Sequence, residues 1–161
     1  MIRGKKLYLG GIQIPYHSGL KGHSDGDVII HAVIDSLLGA MKKKDIGTFF
    51  PDKQKKYKNI RSPKMLKPIV EILNNNNFYI NNLDINLICE QPKVSKYRDK
   101  IIKSLSDLLN IDKELINLKG KTVEKLGLIG KEKAIACEVI CSISQWKKLM
   151  FCYPPSLVMD I

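Results

Sequence analysis

No apolar run in the chain approaches the roughly 20 residues that a membrane-spanning helix needs, so no such helix is expected. There is no Cys-x-x-Cys pair either. Cys89, Cys137, Cys141 and Cys152 stand singly, three of them inside apolar strand-like runs, which fits buried free thiols in a reducing compartment. The start, Met1 to Lys6, leads straight into a strand pattern and carries no secretory or transit signal. Acidic residues are scarce, 16 against 27 Lys and Arg, and the formal net charge is +11. Such an excess suits phosphate-bearing partners. The lysines of 42–44 and 53–58, however, lie beside loops and lack the regular aromatic interleaving of a stacking platform, and no finger or helix-turn-helix signal accompanies them. A solvated basic surface that attracts small anionic substrates is expected, without nucleic acid as a partner.

What the chain does have is 161 residues, enough for one domain with a genuine core, at an ordinary globular balance of 44% hydrophobic and 27% charged. One domain over 1–146 is expected. The tail 147–161, with Pro154 and Pro155, is set apart and has no role that its residues suggest. The densest chemistry lies in His23-Ser-Asp-Gly-Asp-Val-Ile-Ile-His31, two histidines and two carboxylates in nine residues. Ser24 reads as a helix N-cap, with Asp25 and Asp27 in the first turn and an apolar-periodic run to Met41. On that helix Asp27, His31 and Asp35 are spaced i, i+4, i+8 and share a face. His31 is then either a core histidine satisfied by a carboxylate, Asp35 being the candidate, or a metal ligand oriented by one.

The rest of the chain supplies alternating elements. Lys6–Leu9 and Ile12–Ile14 read as a hairpin turned by Gly10 and Gly11, followed by a loop that delivers His23. Residues 45–52 read as a structured loop, and 53–60 as a polar excursion able to cover a site. A helix opens at Ser62-Pro63 and runs to about Leu73, with Pro68 expected to kink it. Strands are expected over 78–90, 115–121 and 133–146, with a helix from Ser95 or Lys96 to Asn110. Thr122 to Gly127 reads as a turn. The order predicts an α+β two-layer sandwich, a mixed sheet covered on one face by helices. Because the strands are apolar in both registers in places, the other face is expected to pack against copies of the chain.

The His23–His31 segment, Asp45-Ile-Gly47 with Phe50-Pro-Asp52, Gln91-Pro-Lys93, Thr122-Val-Glu124-Lys-Leu-Gly127, and Gly130 with Ala134-Ile-Ala-Cys-Glu138 follow one another as in a known family. Over about Leu7 to Ile143 the chain resembles the 2-C-methyl-D-erythritol 2,4-cyclodiphosphate synthases of the non-mevalonate isoprenoid pathway. The resemblance implies a lyase that closes 4-diphosphocytidyl-2-C-methyl-D-erythritol 2-phosphate into a cyclic diphosphate and releases CMP. It implies His31 as a zinc ligand, Glu124 as the ligand of magnesium or manganese, and His23 and Thr122 as stabilisers of the transition state. His23 and Ser24 would meet substrate phosphate, and Asp45, Ile46, Gly47, Phe50, Pro51 and Asp52 the erythritol side. Cys89, Gln91, Pro92, Lys93, Thr122, Val123, Glu124, Leu128 and Lys131 would line the cytidine and diphosphate side. It also implies a homotrimer whose sites are shared between neighbours, in the bacterial cytoplasm or a plastid-type organelle.

In that family two further zinc ligands lie in an Asp-x-His motif ahead of the glycine pair. Here nine residues precede Gly10, without Asp or His, so the resemblance leads us to expect a chain that lacks this strand and holds zinc weakly. Val123 and Leu128 also depart from the family's usual residues, whereas Lys131 keeps a basic character. Two other functions compete. One is a catalytically impaired trimer that still binds cytidine nucleotides. The other is an unrelated metal-dependent phosphohydrolase with Asp25 and Asp27 as ligands. Taken alone, Lys93 reads equally as a solvated strand-end lysine, and Thr122 and Glu124 as turn chemistry.

Overall fold

Two glycines turn the chain back on itself near its start: Gly10 and Gly11 hold φ of +60° and +86°, the left-handed region where a Cβ is penalised. A computed structural model describes residues 1–146; the tail 147–161 lies outside them. A short strand β1 (Ile2–Arg3) precedes the hairpin of β2 (Leu7–Leu9) and β3 (Ile12–Ile14), and β4 (Ser18–Gly19) returns to pair with β1. Then come α1 (Val28–Ala40), the single-turn α2 (Ile46–Phe49) and α3 (Ser62–Asn75). β5 (Phe78–Ile88), α4 (Arg98–Leu109), β6 (Ile116–Lys121), the short α5 (Gly127–Gly130) and β7 (Ala136–Gln145) complete the fold.

α1 begins three residues later than its Ser24 signal suggests. Its N-cap is Asp27, fully buried, whose Oδ1 accepts from the amides of Ile29 and Ile30 at 3.2 and 3.1 Å. The same carboxylate accepts from Gly10 N at 2.9 Å and Gly11 N at 2.6 Å, so one side chain ties the hairpin turn to the helix start. Burial pushes the Asp27 carboxyl up, and the amides of Gly11, Ile30 and Gly10 pull it back. The expected pairing of Asp35 with His31 is not made. Asp35 Oδ1 accepts instead from Ile46 N at 2.8 Å, which fixes the start of α2 where the sequence reads only loop. In α3, Arg61 is the cap, Ser62 and Pro63 fill the first two positions, and Pro68 sits inside without ending the helix.

β5 is the central strand of a three-stranded mixed sheet, parallel to β6 and antiparallel to β7. Its alternation sends Leu83, Ile85 and Leu87 inward, all fully buried, against a helical layer in which α1 lies on β7, α3 on β5 and α4 on β6. The core of Ile29, Ile30, Val33, Ile34, Leu37, Leu66, Ile69 and Leu105 sits between the layers. The open face differs from the apolar surface expected of it. Cross-strand rows there run Asn117, Asp84, Ile140 and Lys119, Asn86, Glu138, and Lys119 Nζ pairs with Asp84 at 2.6 Å. Among the described residues, only Ile140, 73% exposed, is a large apolar side chain left out in the middle of that face. No helix among the described residues is long and apolar enough to cross a membrane.

Replacing Asp27 with Ala removes the helix cap and orphans two turn amides at once, the Gly10 amide buried and the Gly11 amide half-buried. We expect unfolding free energy to fall by about 3 kcal/mol, from a cap worth about 1 and unsatisfied amides worth about 1 or more each. Urea titration at one fixed protein concentration measures it, and a loss below about 1 kcal/mol would show the hairpin to be held by other contacts.

Candidate active site

The chain following β4 brings the first cluster together. His23 and Ser24 arrive on the segment before α1, and His31 lies one turn into α1. Ile46, Gly47 and Phe50 come from α2 and its end, and Asp52 just beyond. All line one open cleft of about 300 Å³, which Gly22, Tyr57, Ile60 and Met65 complete. His23 Nε2 lies 3.8 Å from Asp52 Oδ2, and both side chains are exposed. Asn59 N donates to His23 O at 2.7 Å and Asp25 N to Ile60 O at 3.2 Å, so the 53–60 excursion is pinned along this wall. Its turn at Lys55–Tyr57 sets the Tyr57 ring edge-on to Phe50, with centroids 5.3 Å apart.

Under the cleft lies a dense polar knot. His31 Nε2 is 3.1 Å from both Ser24 Oγ and Ser62 Oγ. Asp25 accepts from Ser62 Oγ at 2.5 Å, from Ser62 N at 3.1 Å and from Arg61 Nε at 2.8 Å. The Arg61 guanidinium in turn stacks 3.8 Å from the Tyr8 ring and donates to Gly11 O. Asp25 and Asp27 are thus buried and committed to hydrogen bonds, which removes the ligand pair that a phosphohydrolase reading requires. Asp45 is likewise turned to its own helix, accepting from Thr48 N at 2.8 Å; that backbone bond and the Thr48 hydroxyl hold its carboxyl low. Neither Asp45 nor Pro51 lines the cleft.

A second cleft, about 210 Å³, opens at the carboxyl ends of β5 and β6. Cys89, Pro92, Lys93 and Thr122 line it, together with Val94, Ser95, Arg98, Leu118, Gly120 and Lys121. The Gln91–Pro92 bond is cis. Lys93, Arg98 and Lys121 make this a cationic pocket, suited to phosphate. The two clefts share no lining residue. Beside the second, Thr122 Oγ1 donates to Glu124 Oε1 at 3.2 Å. Gln91, Val123, Glu124, Leu128 and Lys131 stand outside its wall, and Leu128 points 66% exposed from α5.

Among the described residues no three His, Cys, Asp or Glu side chains gather to hold a metal. Around His31 Nε2 stand two serine hydroxyls, whereas a catalytic zinc takes three protein ligands. These residues do not fit a zinc site by themselves. Glu124 offers one exposed carboxylate, the number with which magnesium is often held when substrate phosphates supply the rest.

The sequence profile of the YgbB family matches residues 1–144. The 2-C-methyl-D-erythritol 2,4-cyclodiphosphate synthase of Treponema denticola is 45% identical over 143 residues, which cover 89% of each chain. The chain belongs to the cyclodiphosphate synthase family. Another relative, the bifunctional enzyme IspD/IspF of Pelagibacter ubique, is 53% identical over 89% of this chain and 38% of its own. The chain thus spans about two fifths of the bifunctional relatives that it matches, and about nine tenths of single synthases. Among solved structures, IspF of Plasmodium falciparum in a CDP complex has a TM-score of 0.76 at 42% identity, covering 88% of this chain and 84% of that one. The bifunctional IspDF of Campylobacter jejuni reaches 0.85 at 34% identity, over 89% of this chain and 39% of that one. The mixed α/β fold is that of the cyclodiphosphate synthases.

Reading this family member from sequence missed Tyr57, Ile60 and Met65 in the first cleft, and Arg98, Gly120 and Lys121 in the second. Gly120 had a signal: a glycine inside a strand marks close approach, and a Cβ there would stand 3.0 Å from Val94 Cβ. Tyr57 is the lone aromatic of a lysine run, and its segment, expected as a polar excursion able to cover a site, brings it into the cleft wall. Cys89 is buried, and burial, ahead of the Glu90 charge, pushes its thiol up to about 11, with Lys93 pulling it down. It is a wall and not a nucleophile. We expect iodoacetamide at pH 8 to alkylate Cys89 in the folded protein at less than about a tenth of its rate in the unfolded chain. Mass spectrometry of the Cys89 peptide reads this, and equal rates would place an accessible thiolate in the cleft.

Proposed function

We propose that the chain converts 4-diphosphocytidyl-2-C-methyl-D-erythritol 2-phosphate into 2-C-methyl-D-erythritol 2,4-cyclodiphosphate and CMP, as a phosphorus–oxygen lyase. The observation that carries this reading is the sorting of the family's motif residues into two clefts. Of these, His23, Ser24, His31, Ile46, Gly47, Phe50 and Asp52 line one, and Cys89, Pro92, Lys93 and Thr122 line the other. The family membership and the CDP found in relatives support it. The relatives named as synthases lend nothing to a non-catalytic binder.

The reaction is an intramolecular phosphoryl transfer. An oxygen of the 2-phosphate forms a bond to the β-phosphorus while the bond from that phosphorus to the bridging oxygen breaks, and CMP leaves with that oxygen. The nucleophile is already an oxyanion, so the protein's task is alignment and neutralisation of charge rather than proton removal. In this reading His23 and Ser24 hold phosphate oxygens, and Ile46, Gly47 and Asp52 hold the erythritol. Lys93, with Arg98 and Lys121 beside it, neutralises the nucleotide phosphates, and Thr122 donates to charge that develops in transit. Glu124 is the residue that would hold magnesium or manganese, which would neutralise diphosphate charge. His31, with two serine hydroxyls about its Nε2, does not by itself make a zinc site.

A complete site needs both clefts, which share no residue in one chain, and this supports a homotrimer with sites between neighbours. Leu126 and Leu128, 72% and 66% exposed beside Thr122, are apolar surface that such a neighbour would cover. The open sheet face would contribute polar rows to the same contact.

The test is CMP release from the diphosphocytidyl substrate with magnesium and zinc supplied. We expect turnover by the wild type, and a fall in kcat of on the order of a hundredfold for Thr122→Ala with KM nearly unchanged. Unchanged kcat with a higher KM would make Thr122 a ground-state contact only, and wild-type protein without CMP release would contradict the assigned reaction.

A further inference from the structure

Thr122 and Glu124 act in the proposed reaction from a turn that has no reason of its own to hold its shape. Glu124 and Lys125 are consecutive non-glycine residues at φ of +52° and +62°, a left-handed pair that persists only where the surroundings over-determine it. Thr122 Oγ1 donates to Glu124 Oε1, so the hydroxyl and the carboxylate are set by the same backbone. What over-determines this backbone comes from another strand. Glu90, just past the end of β5, is half-buried, and its Oε1 accepts from Val123 N at 3.0 Å and from Lys125 N at 3.1 Å. Next to it, Cys89 N donates to Lys121 O at 2.9 Å, extending the β5–β6 ladder up to the turn. Gly130 closes the far side. A Cβ there would overlap the Lys125 carbonyl carbon, so the turn is gripped between the Glu90 carboxylate and the α5 backbone.

We propose that Glu90 is a positioning residue: it holds the 122–125 turn in its left-handed form, and through the turn the Thr122 hydroxyl and the Glu124 carboxylate, without touching substrate. The inference rests on the reaction proposed above for Thr122. The Lys125 and Val123 amides hold the Glu90 carboxyl below the usual carboxylate range, so the acceptor stays ionised at neutral pH. Both bonds fall on one oxygen. An amide oxygen can therefore replace it, which separates hydrogen-bond acceptance from charge.

The experiment compares Glu90→Leu and Glu90→Gln with wild type by two readouts: hydrogen exchange at the Val123 and Lys125 amides, and kcat for CMP release. Glu90→Leu should exchange both amides at least about tenfold faster and lower kcat by on the order of tenfold to a hundredfold, the cost of misplacing a reacting group by about an ångström. Glu90→Gln should restore both, to within about threefold of wild type. Wild-type exchange rates in Glu90→Leu would overturn the proposal, as would Glu90→Gln as impaired as Glu90→Leu, since charge would then be what matters. If wild-type protein released no CMP, the proposed reaction would fall, and the exchange rates by themselves would decide whether Glu90 holds the turn.

Discussion

One fully buried carboxylate organises the amino-terminal half of this protein. Asp27 accepts four backbone hydrogen bonds, two from the glycine turn and two from the first turn of α1. A carboxyl group so deep in the core is tolerated because its oxygens are fully engaged. The consequence is geometric. With the hairpin and the helix start locked together, the His23–Gly26 segment has one path, and the helix carries His31 to the same cleft. Asp25 repeats the device one step outward, joining Ser62, Arg61 and the stacked Tyr8 ring to the floor beneath His31.

The carboxyl-terminal half uses a different device for the same end. The sheet delivers the second cleft at the carboxyl ends of β5 and β6, where a parallel pair opens towards ligand. Charge is handled there by placement. Lys93, Arg98 and Lys121 collect at one mouth, while Glu90 is turned away into the 122–125 turn. The excess of basic residues therefore has a specific meaning in the second cleft, and elsewhere remains solvated surface.

Periodicity made the scaffold legible. The alternation of Leu83, Ile85 and Leu87, the glycine pair and the helical stripes predicted the sheet, the hairpin and the helical layer as they stand. Local chemistry was less readable wherever two segments compete for one side chain. Ser24 has a good cap's residue type, yet Asp27 caps the helix because only its position also reaches Gly10 and Gly11. Asp35 shares a face with His31, yet bonds Ile46 N, while the ring's Nε2 meets Ser24 and Ser62. The open sheet face was expected to be apolar because the strands are apolar in both registers in places; the strand register puts Asn117, Asp84, Lys119 and Glu138 on it. The family's ordered motifs pointed to part of what lines the two clefts, and tertiary contact alone brings in other lining residues, Tyr57 and Arg98 among them.

The central claim is that a working site takes one cleft from each of two neighbouring chains. Co-assembly of His23→Ala chains with Thr122→Ala chains tests it most directly, since each variant keeps the cleft that the other has lost. Random mixing in a closed ring with head-to-tail contacts should restore about a quarter of wild-type CMP release, because one pairing in four joins two intact clefts. Mixed assemblies no more active than the separate variants would contradict the account and place the whole site within a single chain.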